Sequence, residues 1–265
     1  SGQTIMSEEI SNLKISNNII VGSLAVSLII GGVKGSLIYG NKRITEEEKK
    51  RWEEYEKLPP DNIEISNNTI ICTGYGPFNI AAQGVKLTNN IFSPFHDYPG
   101  FYIVHYKESF SSDNNLVWIG ERTQNILEEL RKNGLEKNTI GKKPEFFNAP
   151  SFYSVGKCKE SKEKIYLKEN VKDWQIGDYV EINMDGVVRK IKEIGSNFII
   201  IDPPLDKMPD FEIFVFNWKN NSNFLWDLKL KEEIKNVGSN LNIQNYIKGD
   251  FNGDGKKDLP EKFKY

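Results

Sequence analysis

Apolar and polar residues alternate in short bursts along the first half of the chain, and each burst ends in asparagine. The two fullest copies run from Asn62 to Ile70 (NIEISNNTI) and from Gly84 to Phe92 (GVKLTNNIF). Alternation with period two predicts a half-buried strand. Asparagine tolerates left-handed backbone, so each Asn pair marks a bend between strands. Asn12 to Ile20 (NLKISNNII) is a third copy, Ser36 to Asn41 a degenerate fourth, and Asp113 to Val117 a fifth. Counting positions, Asn18 to Asn41 is 23 residues, Asn67 to Asn89 is 22, Asn89 to Asn114 is 25, and Asn41 to Asn67 is 26. Each spacing suits one coil of three short strands, with the asparagines stacked as a ladder along the coil axis. The competing reading is a β-sandwich in which the Asn pairs recur by chance.

Two stretches break that period. Thr45 to Leu58 (TEEEKKRWEEYEKL) predicts a helix inserted between coils. It has an N-capping threonine, acidic residues in its first turn and Pro59-Pro60 beyond its end. Thr123 to Asn133 predicts a second helix, with Ile126, Leu127 and Leu130 on one face and Gly134 at the C-cap position. The apolar run from Ile19 to Val33 is 15 residues long. That is short of the roughly 20 a membrane-spanning helix needs. Its glycines and β-branched residues predict buried strands instead.

From residue 151 to 217 the pattern changes to five short strands, at 164–167, 179–182, 187–191, 198–201 and 211–215, separated by turn residues. Asp185-Gly186 is a hairpin signal. The expected product is a small antiparallel barrel or sandwich. In the phrase from Trp174 to Glu181, the Gly177-Asp178 turn is read as a structural start to a strand. The expected domains are residues 1–150 (coils, inserted helix and cap helix), 151–217 (the antiparallel module) and 218–265 (a return to the coil end and a tail).

The repeated I-S-N-N-x-I phrase resembles the right-handed parallel β-helix superfamily, the pectin-lyase-like proteins. Gly134 to Ile140 and Lys143 to Asn148 resemble the segment that closes such a solenoid, with Thr139 where serine is usual and Lys143 where aspartate is usual. Leu225 to Leu230 is similar to the strand that precedes the end of the family's chains. The resemblance covers roughly residues 10–150 and 217–258, and repeat pattern carries it rather than catalytic residues. It implies a mainly β solenoid that acts on or holds long polysaccharides. A lyase of that kind neutralises a uronate carboxylate with calcium or arginine, and a lysine or arginine removes the α proton. Lys86, Lys107 and Arg122 are the basic residues nearest the aromatic stretch, and none is assigned as catalytic.

Composition adds limits. The net charge is −2 and 27% of residues are charged, which leaves no electrostatic footprint for nucleic acid. Cys72 and Cys158 have no metal or disulfide spacing. The repeat is already running near residue 10, so the expectation is the C-terminal part of a longer protein, or a processed fragment. The densest aromatic stretch, from Phe92 to Phe110, holds both histidines, His96 and His105. Flat ring faces suit pyranose stacking, which makes Tyr75, Phe95, His96, Tyr98 and Tyr102 the candidate glycan contacts. The alternative is that these rings cover a face of the coils.

The tail carries the one sharp chemical motif. Asp250 to Glu261 (DFNGDGKKDLPE) satisfies the calcium-loop pattern. Asp250, Asn252, Asp254, Asp258 and Glu261 would supply oxygens, with the carbonyl of Lys256, and Gly255 would make the turn. A plain Asp-Gly turn closing the chain is the alternative. The expected function is an extracellular, carbohydrate-interacting protein, polysaccharide-lyase-like or glycan-binding, with structural calcium. The alternatives are a self-associating structural or adhesive subunit and a phage tail-fibre or spike domain.

Overall fold

In the computed structural model the described residues are 5–7, 10–23, 28–30, 59–73, 78–93, 102–104, 107–168 and 171–232, with a few isolated positions in 46–50 and 234–239. They divide into two compact units, one running to Glu145 and rejoined from Leu230, the other running from Phe146 to Lys229.

The first unit is built of three parallel sheets. One holds Ile5–Ser7, Leu28–Ile30, Phe78–Ile80 and Tyr102–Val104. The second holds Leu13–Ser16, Ile63–Ser66, Val85–Thr88 and Phe110–Asp113. The third holds Ile19–Ser23, Thr69–Thr73, Ile91–Ser93, Leu116–Val117 and Ile140–Gly141. The register matches like with like. Leu13, Ile63, Val85 and Phe110 stack in one row, and Ile20, Ile70, Phe92 and Val117 in another. Side chains from all three sheets form one apolar core, with Phe78 set edge-on to Phe92 at 4.7 Å.

The asparagine pairs divide their labour. The first member of each pair, Asn17, Asn67, Asn89 and Asn114, takes a positive φ of 55–58° and turns the corner. The second member, Asn18, Asn68, Asn90 or Asn115, turns inward. Asn18 Nδ2 donates to Asn68 Oδ1 at 3.0 Å, Asn68 Nδ2 to Asn90 Oδ1 at 3.0 Å, and Asn90 Nδ2 to Asn115 Oδ1 at 3.2 Å. Each acceptor oxygen also takes the backbone N–H of the preceding asparagine. The remaining amide hydrogens go to strand carbonyls such as Ile15 O and Ile65 O. Asn68, Asn90 and Asn115 are thus buried with their polar atoms satisfied.

One expectation is corrected here. The residues described form a mainly β fold of parallel sheets plus a closed antiparallel barrel, and a right-handed parallel β-helix solenoid of the pectin-lyase-like kind is not what they show. The physical reason lies in what the repeat encodes. It fixes stacking and register from one copy to the next. It does not fix how the sheets join or with which hand. The degenerate repeat at Ser36 to Asn41 lies outside the described residues. So does the predicted helix from Thr45 to Leu58, except Glu46, Glu47 and Lys50, which are helical.

The second predicted helix forms over Thr123–Lys132, with Ile126 and Leu127 buried and Leu130 packed on the core. Gly134, at φ +82°, ends it: Leu135 N–H donates to Leu130 O and Gly134 N–H to Arg131 O. The apolar run at Ile19 supplies strands Ile19–Ser23 and Leu28–Ile30. No helix among the described residues is long and apolar enough to cross a membrane.

The second unit is a closed barrel in the order Phe152–Cys158, Lys164–Leu167, Phe198–Asp202, Arg189–Ile194, Tyr179–Ile182, Ile213–Lys219, with every neighbouring pair antiparallel. Its interior is aliphatic, including Ile165, Val180, Ile191, Ile199, Ile213 and Val215. The strand Phe152–Cys158 is absent from the pattern-based expectation because Gly156 and Ser154 break the apolar alternation. Gly156 is there for space: a Cβ would lie 2.5 Å from Ile165 Cγ2. Outside the barrel, Phe146–Asn148 pairs with Asp227–Leu230.

Replacing Asn90 by alanine removes an amide that serves four neighbours, and leaves Asn68 N–H and Nδ2, Ile65 O, Thr88 O and Asn115 Oδ1 short of a partner. The expected loss is about 3 kcal/mol, at the upper end for unsatisfied buried polar groups. Asn114→Gly, at an exposed left-handed corner, is expected to change stability by no more than about 0.5 kcal/mol. Chemical denaturation of both variants checks the contrast.

Candidate functional site

Of the predicted glycan contacts, Tyr75, Phe95, His96 and Tyr98 lie outside the described residues, as does His105. Tyr102 is described. Its ring packs on Phe110 at 4.7 Å, and its hydroxyl is buried without a hydrogen bond among the described residues. Burial, and then the neighbouring Glu136 carboxyl, push its phenol well above the usual tyrosine range. For Tyr102 the packing role is therefore the one seen. Asp250, Asn252, Asp254, Lys256, Asp258 and Glu261 all lie outside the described residues. Among the described residues no three of His, Cys, Asp and Glu come together in a way that would hold a metal.

Lys86, Lys107 and Arg122 sit on three different elements. Lys86 is exposed on the strand Val85–Thr88, in register with Glu64, and Glu64 pairs with Lys14 at 2.9 Å. Hydrogen bonds from Lys14 and Ser66 hold the Glu64 carboxyl below its usual value. Lys107 is exposed on a single 3-10 turn, and Arg122 is exposed just before the helix at Thr123.

The richest exposed chemistry is on the barrel. Strand alternation points Lys157, Tyr166 and Phe198 outward in one cross-strand row, because Lys157 pairs with Tyr166 and Tyr166 with Phe198. Lys164 Nζ lies 5.0 Å from the Tyr166 ring centre and 4.6 Å from that of Phe198. Lys159 Nζ lies 4.9 Å from Tyr166. These are cation–π distances. The exposed carboxylate of Glu160 completes the group. It accepts from Tyr166 Oη at 2.8 Å and from Lys164 Nζ at 3.2 Å. Those bonds, Tyr166 first, hold Glu160 below the usual glutamate range, while the Tyr166 hydroxyl and then Glu160 raise Lys164 above its own. Among the described residues Lys157 and Lys159 form no salt bridge, although the Lys159 charge helps to hold Glu160 down.

A cleft of about 470 Å³ adjoins this face, walled by Val171, Trp174 and Ile176 on one side and by Ile194, Gly195 and Ser196 on the other. Trp174 is nearly buried, whereas Ile176 is 68% exposed. The turn at Gly195 lies directly on the Phe198 ring: a Cβ there would fall 2.1 Å from Phe198 Cε1. Cleft and aromatic row are therefore neighbours.

The buried polar groups of the barrel serve its loops. Asp178 accepts from Asn217 Nδ2 and from Gln175 N–H, each at 2.8 Å, which pins the Trp174 to Asp178 turn. Asp185 and Arg189 pair at 2.8 Å, while Glu181 accepts from Gly186 N–H at 3.1 Å and Trp226 Nε1 at 3.2 Å. Burial raises the Asp185 carboxyl, with Arg189 opposing it. These contacts fix the hairpin that Asp185-Gly186 announces. Cys158 is a free buried thiol, and burial alone pushes it up.

Pattern reading missed the lysine–aromatic face. Its signal was the outward half of the alternation, with lysines at 157, 159, 162, 164 and 168 around Tyr166. That half looks like any solvated strand face until cross-strand register sets Tyr166 beside Phe198. Comparison with known proteins adds nothing to this placement: no family model, no curated protein and no solved structure matches the chain. Membership of the pectin-lyase-like superfamily is therefore without support from relatives as well as from the fold.

Gly195→Ala is expected to push the Phe198 ring off its seat, and to cost the barrel about 1–3 kcal/mol, as overpacking does. Denaturation with nuclear Overhauser contacts between Phe198 and Tyr166 reads both effects.

Proposed function

We propose that this chain is a carbohydrate-interacting protein that binds acidic polysaccharide without cleaving it, in an extracellular setting. The observation carrying the reading is the outward row of Lys157, Tyr166 and Phe198, flanked by Lys159 and Lys164. Glu160 indicates the chemistry such a face accepts: an exposed carboxylate held by a phenol hydroxyl and an ammonium. A uronate carboxylate offers the same group to Lys157 and Lys159. The adjoining cleft gives an apolar wall against which a sugar ring can lose water.

Calcium belongs to this proposal through the spacing of Asp250 to Glu261 alone, as a clamp on the tail rather than a catalyst. The alternative reading is a self-associating structural subunit.

Affinity electrophoresis through polygalacturonate, alginate and a neutral mannan separates these readings. Retardation by the acidic polymers only is expected, weakening with salt. The double variant K157E/K159E is expected to lose at least about tenfold in affinity, or about 1.4 kcal/mol. Equal retardation of wild type and variant would remove the site. No retardation by any polymer, together with concentration-dependent mass by light scattering, would favour the structural reading. Release of unsaturated sugar from these polymers would overturn binding without cleavage. If the tail binds calcium, chelation is expected to lower the melting temperature, and Asp254→Asn to abolish that response.

A further inference from the structure

The asparagine ladder ends on a carboxyl group. Asn115, its last amide, donates Nδ2 to Glu136 Oε2 at 3.1 Å, and Thr139 Oγ1 takes the Asn115 backbone N–H at 3.0 Å. Thr139 in turn donates its hydroxyl to Glu136 Oε2, and Ser112 Oγ bonds Oε1. Glu136 is fully buried, on a backbone with φ +52°. Among the described residues no cation pairs with its carboxyl. The Arg131 guanidinium donates instead to the backbone oxygens of Glu136 and Thr139. Asp113, on the adjoining strand Phe110–Asp113, adds negative charge, and Tyr102 presents a buried phenol.

A buried carboxylate without a counter-ion is costly, and protonation is the usual escape. The surroundings accept that proton without rearranging. With hydrogen on Oε1, Glu136 donates to Ser112 Oγ. The Ser112 hydroxyl then turns to Leu87 O, which lies 3.3 Å away. Asn115 Nδ2 and Thr139 Oγ1 continue to donate to Oε2. With the carboxyl ionised, the Ser112 hydroxyl points back to Oε1. The same heavy atoms serve both states.

We propose that Glu136 is a protonation-sensitive stop at the end of the ladder, neutral when the first unit is most stable. Burial raises its pKa in the folded chain, ahead of the opposing hydrogen bonds from Ser112, Thr139 and Asn115. The sign follows. An acid whose folded value lies above its unfolded value contributes stability that is complete below the unfolded value. That stability is lost as pH rises through the folded value. The loss therefore begins near the ordinary glutamate value of 4.5 and proceeds upward.

Glu136→Gln keeps the neutral arrangement at every pH, with its amide donating to Ser112 Oγ. Calorimetry of wild type and E136Q across acidic to neutral pH, on the full chain, is the test. The two melting temperatures are expected to agree below 4.5, and the wild type to fall behind E136Q by several degrees as pH rises past that value. A difference that stays constant with pH, or a wild type that gains on E136Q as pH rises, would overturn the proposal. If E136Q does not fold, the carbon-13 resonance of the Glu136 carboxyl in the wild type decides. A titration midpoint above 4.5 supports the proposal, and one at or below it overturns it.

Discussion

Stacking of buried amides is the constraint on which the first unit depends. A side-chain amide has two donors and an acceptor with two lone pairs, and it is costly to bury unless all are used. One repeat cannot satisfy its own asparagine, because each Oδ1 is filled by hydrogens from the copy before and each Nδ2 reaches for the copy after. Every ladder position therefore requires a neighbour in register. The aliphatic rows add area without direction: Ile63 over Leu13 would tolerate a slipped partner of similar size. The amides would not, since a slip leaves polar groups unpaired in the core.

The same constraint explains what was legible in the sequence. Period-two alternation followed by Asn-Asn specifies strand, left-handed corner, ladder position, and the structure places Asn67 and Asn68, Asn89 and Asn90, Asn114 and Asn115 in those roles. The Thr123 helix was legible from its apolar face and its Gly134 stop. What the repeat does not contain is how the three sheets close on one another. The superfamily resemblance went beyond local stacking, and that is where it failed. Most of the proposed aromatic and calcium residues fall outside the described structure, so the pattern that suggested them is neither placed nor displaced by it.

The barrel was legible as short strands and turns, but its first strand was not. Gly156 is an interruption in a one-dimensional pattern and a requirement in three dimensions, because Ile165 occupies the volume a side chain would need. The candidate face was hidden for a related reason. Lys164 and Tyr166 lie two residues apart and read as the polar edge of a strand. Phe198 joins them only through cross-strand register, which local pattern does not supply.

Glu136 was hidden differently. In the phrase from Gly134 to Ile140 it stands as an unremarked variable position, and a glutamate in a loop is ordinarily solvated. Its burial follows from the ladder: a column of amides donating in one direction must end on an acceptor, and a carboxyl oxygen accepts more than one hydrogen bond. Asn115 supplies the last donor, Thr139 takes the backbone N–H that another asparagine would have taken, and Glu136 closes the column. The two units thus use polar chemistry in opposite ways. The first turns its amides and one acid inward to fix register, whereas the barrel spends its buried polar groups, Asp178, Glu181, Arg189 and Asn217, on its loops and sets Lys157, Tyr166 and Phe198 on its outer row. On that outer face Lys159 and Lys164 lie against rings and one exposed carboxylate, whereas among the described residues no cation pairs with the carboxyl of Glu136.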